Sequence, residues 1–182
     1  DELAEKRAVL EVLDSGLLSN FHGSNAREFY GGPTVQAFER DWEQYFGTPF
    51  AVTMNSATSC LYAAVGALEI GPGDEVITTP YTMSATASGI LVYQGVPVFA
   101  DIDPETFTLD PRSVEARITP PTRAIIVTHL FGHPADMDGI MDVARRHGLR
   151  VIEDAAQAPG ARYHDGRAGT IGDIGVFSLN CH

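Results

Sequence analysis

Basic charge is scarce in this 182-residue sequence: 12 Lys and Arg stand against 24 Asp and Glu, for a net charge of −12. Without a basic stripe to displace counterions from phosphates, a nucleic-acid surface is excluded as the main business of the chain. Cysteine is equally sparse. Cys60 and Cys181 form no C-x-x-C or metal-finger spacing and sit among apolar or small residues, which reads as two ordinary buried thiols in a reducing cytoplasm. No run approaches the roughly 20 apolar residues of a membrane span. The start, Asp1-Glu2-Leu3, lacks the basic and apolar regions of a signal peptide, so a cytoplasmic protein is expected. Repeats, low-complexity tracts and internal linkers are missing too. What is present is material for a core, with 44% hydrophobic residues in one domain or one large piece of a bigger subunit.

The periodicities alternate between helix and strand. Leu3, Val9, Leu10, Leu13 and Leu17 predict an amphipathic helix over residues 2–18, ending near Ser19-Asn20. A Gly-, Ser- and aromatic-rich loop runs from Phe21 to Tyr30-Gly31-Gly32-Pro33, and either a connector or a close approach to a ligand suits it. Val35, Phe38, Trp42, Tyr45 and Phe46 mark a helix buried along one face and closed by Gly47. A short strand is expected over residues 51–54, then a polar turn and a helix carrying Leu61, Ala64, Val65 and Leu68. Strands are also expected over residues 75–79, 96–100, 123–129, 151–154 and 172–179, with helices over 83–93, 111–118 and 136–147 and a glycine-rich meander over 159–169. The expected architecture is a three-layer α/β fold: βαβ units around a mostly parallel sheet with helices on both faces.

Three places could carry chemistry. Asn55-Ser56-Ala57-Thr58-Ser59 opens a helix whose free N–H groups and positive dipole end suit a phosphate, with the Thr58 and Ser59 hydroxyls as further donors. Plain N-capping by Ser56 accounts for the same residues. Asp154 falls at the carboxyl end of a buried strand, where open α/β sheets bind ligands, and a carboxylate there would hold a heterocyclic nitrogen protonated. Capping of the Ala155-Ala156 turn is the other reading of Asp154. Ser178 brings a hydroxyl from the last strand. Asp101-Ile102-Asp103-Pro104 reads as a turn instead of a metal cage, and His129 and His133 flank Gly132 outside a helix, so no metal site is expected. A nicotinamide-dependent dehydrogenase would place G-x-G-x-x-G after the first strand, where Asn55-Ser56-Ala57-Thr58-Ser59 stands instead.

Read together with Gly71-Pro72-Gly73-Asp74-Glu75-Val76-Ile77, Glu153-Asp154-Ala155-Ala156-Gln157 and Gly172-Asp173-Ile174-Gly175-Val176-Phe177-Ser178, the chain resembles the sugar aminotransferases of the DegT/DnrJ/EryC1/StrS family, fold type I pyridoxal phosphate enzymes. The resemblance covers nearly all of it. It implies that Thr58, Ser59 and Ser178 bind the phosphate of pyridoxal 5'-phosphate, Asp154 its pyridinium nitrogen and Gln157 its phenolic oxygen. Family members place an aromatic ring over the cofactor after a Pro-x-Thr turn; here Met83 follows Pro80-Tyr81-Thr82, with Tyr81 as the other candidate and core packing as a third role for Met83. The Schiff-base lysine is expected immediately after His182. Residues 1–182 would then be the cofactor-binding large domain, with a C-terminal small domain beyond it, in a homodimer. The implied activity is transfer of an amino group from glutamate or glutamine to a keto sugar nucleotide or keto cyclitol. Histidine in place of that lysine would make a sugar dehydratase, and a noncatalytic regulator is a reading of another class.

Overall fold

The computed structural model describes residues 2–18, 20, 21, 23 and 27–180, so Cys181 and His182 and the expected helix end at Ser19 lie outside the described residues. Residues 1–53 and 54–182 form separate units. In the first, α1 (Glu2–Ser15) keeps the predicted apolar stripe, yet none of its side chains is buried. A 3-10 turn (Arg27–Tyr30) leads into α2 (Pro33–Phe46), which has Pro at its first turn and ends at Gly47, whose φ of 70° lets its N–H reach the Glu43 carbonyl at 2.8 Å. The rings of Phe38, Trp42 and Phe46 stack at i, i+4 intervals, with centroids 5.5 and 4.6 Å apart, but only Phe46 is buried. The strand expected over residues 51–54 is not formed. Glu43 Oε1 accepts from the Ala51 N–H at 3.1 Å, and Glu39 Oε1 accepts from the N–H and hydroxyl of Thr53, each at 2.8 Å. Carboxylates of α2 thus take the donors that a ladder would have used.

In the second unit, α3 (Ala57–Ala67) precedes β1 (Glu75–Thr78), α4 (Ser84–Leu91), β2 (Val96–Phe99), α5 (Pro111–Ala116), β3 (Thr122–Thr128), α6 (Met137–His147) and β4 (Arg150–Asp154). The expected meander contains a two-residue hairpin, β5 (Arg162–Tyr163) with β6 (Gly166–Arg167), and the expected last strand shrinks to β7 (Ile174–Val176). Five strands make one parallel sheet in the order β2-β1-β3-β4-β7.

Strand alternation sorts the core into two layers. Val76, Ala124, Ile126, Ile152 and Val176 meet Leu61, Ala64 and Val65 of α3 and Ile90 of α4. Ile77, Ile125, Val127 and Val151 face the opposite way, onto Val114 of α5 and Met137, Ile140, Val143 and Ala144 of α6. A sheet buried on both faces explains the unbroken apolar run of β3, where each large side chain contributes about 1.5–3 kcal/mol. This is the expected three-layer α/β fold. Among the described residues no helix is long and apolar enough to cross a membrane, and no group of three or more His, Cys, Asp and Glu could hold a metal. At the expected turn, Asp103 Oδ1 caps the N–H of Glu105 at 2.7 Å. Cys60 is half-buried, and burial pushes its thiol pKa up.

The chain passes from β1 to β2 on one side and returns to β3 on the other, so the strand order reverses between β1 and β3, beside β4. The segment joining the hairpin to β7 is held from below by Glu153, fully buried on the α5 and α6 side. Its carboxylate accepts from the N–H groups of Gly169 (2.7 Å), Ile171 (2.6 Å) and Gly172 (2.5 Å) and from His129 Nε2 (2.9 Å). Because the Ala135 N–H donates to His129 Nδ1 at 3.1 Å, the proton of that imidazole sits on Nε2. Asp173 ties the foot of β7 to β4 through the Val151 N–H (2.8 Å) and Arg150 (2.7 Å). Gly175 must be glycine: a Cβ there would lie 1.9 Å from the Gly169 carbonyl oxygen.

Gly175→Ala should therefore cost about 3 kcal/mol or more of stability in chemical denaturation, an effect that wild-type midpoints would rule out. Burial raises the Glu153 pKa, but donation from His129 and the Gly172 and Gly169 N–H groups outweighs it and holds the carboxyl below its usual range. Such a group stabilises the fold above its unfolded pKa of about 4.3, and the contribution is lost as pH falls through the lower folded value. Glu153→Gln should lose about 3–5 kcal/mol at neutral pH and lack this acid-dependent limb of the stability curve.

Candidate functional site

Because Glu153 and Asp154 are consecutive on a strand, they emerge on opposite faces of the sheet. Asp154 goes to the α3 and α4 side and is 4% exposed. Its Oδ2 accepts from the Thr86 hydroxyl in the first turn of α4 at 2.8 Å, and its Oδ1 accepts from the Ala156 N–H at a longer 3.3 Å. The turn-capping reading of Asp154 is thus real, though it takes only one oxygen and holds it loosely. Burial pushes the Asp154 carboxyl pKa up, and the donations from Thr86 and Ala156 offset this only in part. All of its hydrogen-bond donors among the described residues are neutral or, as with Ala156, backbone.

The orientation of α3 follows from close approaches along α4 and the residues just after each helix. Leu61 lies against Gly89, with 3.5 Å to the position of a Cβ; Gly66 lies under Tyr93; and Ile70 lies against Gly95. The two helices therefore run in the same direction. Since α4 starts directly after β1, both helices begin at the carboxyl edge of the sheet, which is also where Asp154 stands. Ser56 caps α3 by accepting the Ser59 N–H at 3.1 Å. The Ser59 hydroxyl bonds Asn55 Oδ1 at 2.6 Å and lies 3.1 Å from Ser56 Oγ. The first N–H groups of the helix have no intrahelical partner, and half-buried Thr58 stands among them. Capping and an open cup of donors coexist at this turn.

Met83 is the N-cap position of α4, one turn before Thr86 and so on the same helical side. It is 66% exposed, which removes core packing as its role, while Tyr81 is drawn toward Phe107, with ring centroids 6.1 Å apart. Gln157 Oε1 accepts the Phe131 N–H at 3.1 Å, leaving its amide NH₂ group to donate. Half-buried Ser178 lies two residues past Val176, the partner of Asp154 in the β4–β7 register, and accepts the Asn180 N–H at 3.2 Å. The expected lysine position lies beyond the described residues. Sequence reasoning missed Thr86, and with it Thr82 and Thr128. The only signal was the i, i+4 spacing of Thr82 and Thr86 at a helix start.

This edge offers a buried anionic acceptor at Asp154 and an anion-binding helix terminus at α3. Its donor set fits a ligand with a cationic ring and an anionic phosphate, as in pyridoxal phosphate. The chain is 45% identical over 175 residues to the spore coat polysaccharide biosynthesis protein SpsC of Bacillus subtilis, covering 96% of this chain and 42% of that protein. It is 42% identical to the GDP-perosamine synthase of Caulobacter vibrioides, covering 96% and 44%. The structure superposes on the aminotransferase from Psychrobacter cryohalolentis with a TM-score of 0.88 and 39% identity, over 96% of this chain and 42% of that one. The chain thus spans less than half the length of these relatives. Residues 4–181 match the model of the DegT/DnrJ/EryC1/StrS aminotransferase family, and the chain belongs to that family.

Proposed function

We propose that the protein is a pyridoxal phosphate-dependent aminotransferase that moves an amino group from glutamate or glutamine to a keto sugar nucleotide or keto cyclitol, working as a homodimer. The observation that carries the reading is Asp154: a buried carboxylate with neutral donors only, at the sheet edge where α3 opens its first turn. Membership of an aminotransferase family and likeness to a GDP-perosamine synthase support it.

When bound, the cofactor supplies a protonated heterocycle that draws electrons from the substrate carbon. Asp154 holds the proton on the ring nitrogen, since an adjacent anion favours the cationic form and an added cation relieves the burial penalty of the carboxylate. Thr58, Ser59 and the first N–H groups of α3, with Ser178, bind the phosphate. The Gln157 NH₂ group donates to the phenolic oxygen. Met83 would offer the ring a polarizable thioether. A lysine after His182, where one is expected, would hold the cofactor and could relay a proton at the substrate carbon.

Full-length protein should be yellow, and borohydride reduction followed by peptide mass analysis should find a cofactor-sized adduct on a lysine after His182. Histidine there, or no adduct, overturns the aminotransferase reading. Asp154→Asn should fold but lose several orders of magnitude in turnover, because the ring nitrogen loses its anion. Thr58→Val should weaken cofactor retention by about 1–3 kcal/mol, measured by equilibrium dialysis; unchanged affinity would leave Thr58 without a part in phosphate binding.

A further inference from the structure

We infer that Thr86, backed by Thr82 and Thr128, is a positioning residue that orients the Asp154 carboxylate for the cofactor's ring nitrogen, an inference that rests on the functional reading above. Three elements build the device. Thr128 closes β3, Thr82 lies in the turn after β1, and Thr86 sits in the first turn of α4. Their oxygens are spaced 3.4 Å from Thr128 to Thr82 and 3.2 Å from Thr82 to Thr86, and the last step to Asp154 Oδ2 is 2.8 Å.

The direction of this run follows from proton counting. An ionised carboxylate only accepts, so the single Thr86 proton is committed to Asp154. The Thr86 oxygen can then only accept, which commits the Thr82 proton to it, and Thr128 donates in turn to Thr82. All three hydroxyl dipoles therefore point at the carboxylate and reinforce one another. Thr86 is fully buried and Thr128 is 4% exposed, so water is a poor substitute for either. A neighbouring threonine shows what a purely structural bond looks like: Thr78 donates to the Ile126 carbonyl at 3.0 Å and goes no further.

The consequence for the site is geometric and electrostatic. With Oδ2 tied to Thr86, Oδ1 keeps acceptor capacity beyond its long contact with Ala156, and it is the oxygen left for a further donor. A buried carboxyl that picks up a proton would present a hydroxyl where the ring nitrogen needs a charge; donation from Thr86 opposes that uptake. The ionisable neighbours do not replace it. Just past β3 the His129 ring spends Nε2 on Glu153 and Nδ1 on the Ala135 N–H, on β4 the Glu153 carboxylate faces the other layer, and α4 and the turn before it turn hydroxyls to the site.

The test uses full-length protein freed of cofactor and titrated with pyridoxal phosphate, with melting recorded before and after loading. Thr86→Val keeps the shape and removes the donor. It should bind pyridoxal phosphate about tenfold more weakly and gain less in melting temperature on loading than wild type, while Thr86→Ser should return to within about twofold. A merely structural threonine would lower the loaded and unloaded melting temperatures together and leave the gain intact. Wild-type affinity with full gain in Thr86→Val, or no rescue by serine, overturns the inference. Should Thr86→Val not fold, Thr82→Val reads the same run from one step back: about threefold weaker binding is expected, and wild-type binding overturns it. A wild-type protein that takes up no pyridoxal phosphate overturns the functional reading and this inference together, whereas wild-type uptake with indifferent variants overturns the inference alone.

Discussion

Two consecutive carboxylates on a strand buried on both faces impose the constraint that organises the second unit. Each ion taken out of water costs several kcal/mol unless donors replace its hydration. Glu153 recovers that cost in full, with three backbone N–H groups and the His129 imidazole converging on its two oxygens. Asp154 does not. It has one hydroxyl at close range and one N–H at 3.3 Å, and its pKa is driven up accordingly. The same strand thus holds one satisfied anion and one under-satisfied anion, separated only by the pleat. The first anchors the segment that leads into β7; the second is the group with free capacity for a cation.

The anchoring is what makes the loose carboxylate affordable. Glu153 holds residues 169–172, and Gly175 then packs so closely on Gly169 that only hydrogen fits between them. This seats β7 beside β4 with Val176 opposite Asp154 and the Ala155 N–H bonded to the Val176 carbonyl at 2.8 Å. Asp154 is therefore flanked on both sides by paired strands, since β3 also reaches it through the His129 N–H to its carbonyl at 3.0 Å. Its backbone cannot shift to improve its own hydrogen bonds. The rigidity that stabilises Glu153 keeps Asp154 under-satisfied.

Much of this was legible in residue patterns. The β-branched run of β3, the αL glycines Gly47 and Gly148 that close α2 and α6, and the placement of Asp154 at a strand end all follow from periodicity and local chemistry. Local patterns fail where a distant side chain decides. Residues 51–54 have strand character, but Glu39 and Glu43, a turn apart on α2, reach their N–H groups first. Residues 177–179 look like more of β7, but the Phe177 ring is wedged under Gly169 and Ser178 bonds the Asn180 N–H, so the ladder ends at Val176. Periodicity also assigns faces and not partners. It puts Glu153 and Asp154 on opposite sides, yet nothing in the spacing of His129, Gly169 or Thr86 says which carboxylate each will find.

The signs of charge at the sheet edge point to the kind of ligand that belongs there. With a net charge of −12, the chain as a whole repels anions, so a phosphate can be held only by donors fixed in place at short range. The parallel run of α3 and α4 brings two helix starts to one edge, and the first turn of α3, whose N–H groups have no intrahelical partner, is the proposed source of such donors. The glycines at 66, 89 and 95 permit that alignment: a Cβ at Gly66 would meet the Tyr93 hydroxyl at 2.4 Å, and one at Gly95 would meet Ile70 at 2.9 Å. Asp154 at the same edge reverses the sign and discourages a simple dianion from lying flat across it. A ligand that is anionic at one end and cationic at the other satisfies both features at once, while a molecule of either charge alone satisfies one and is repelled by the other.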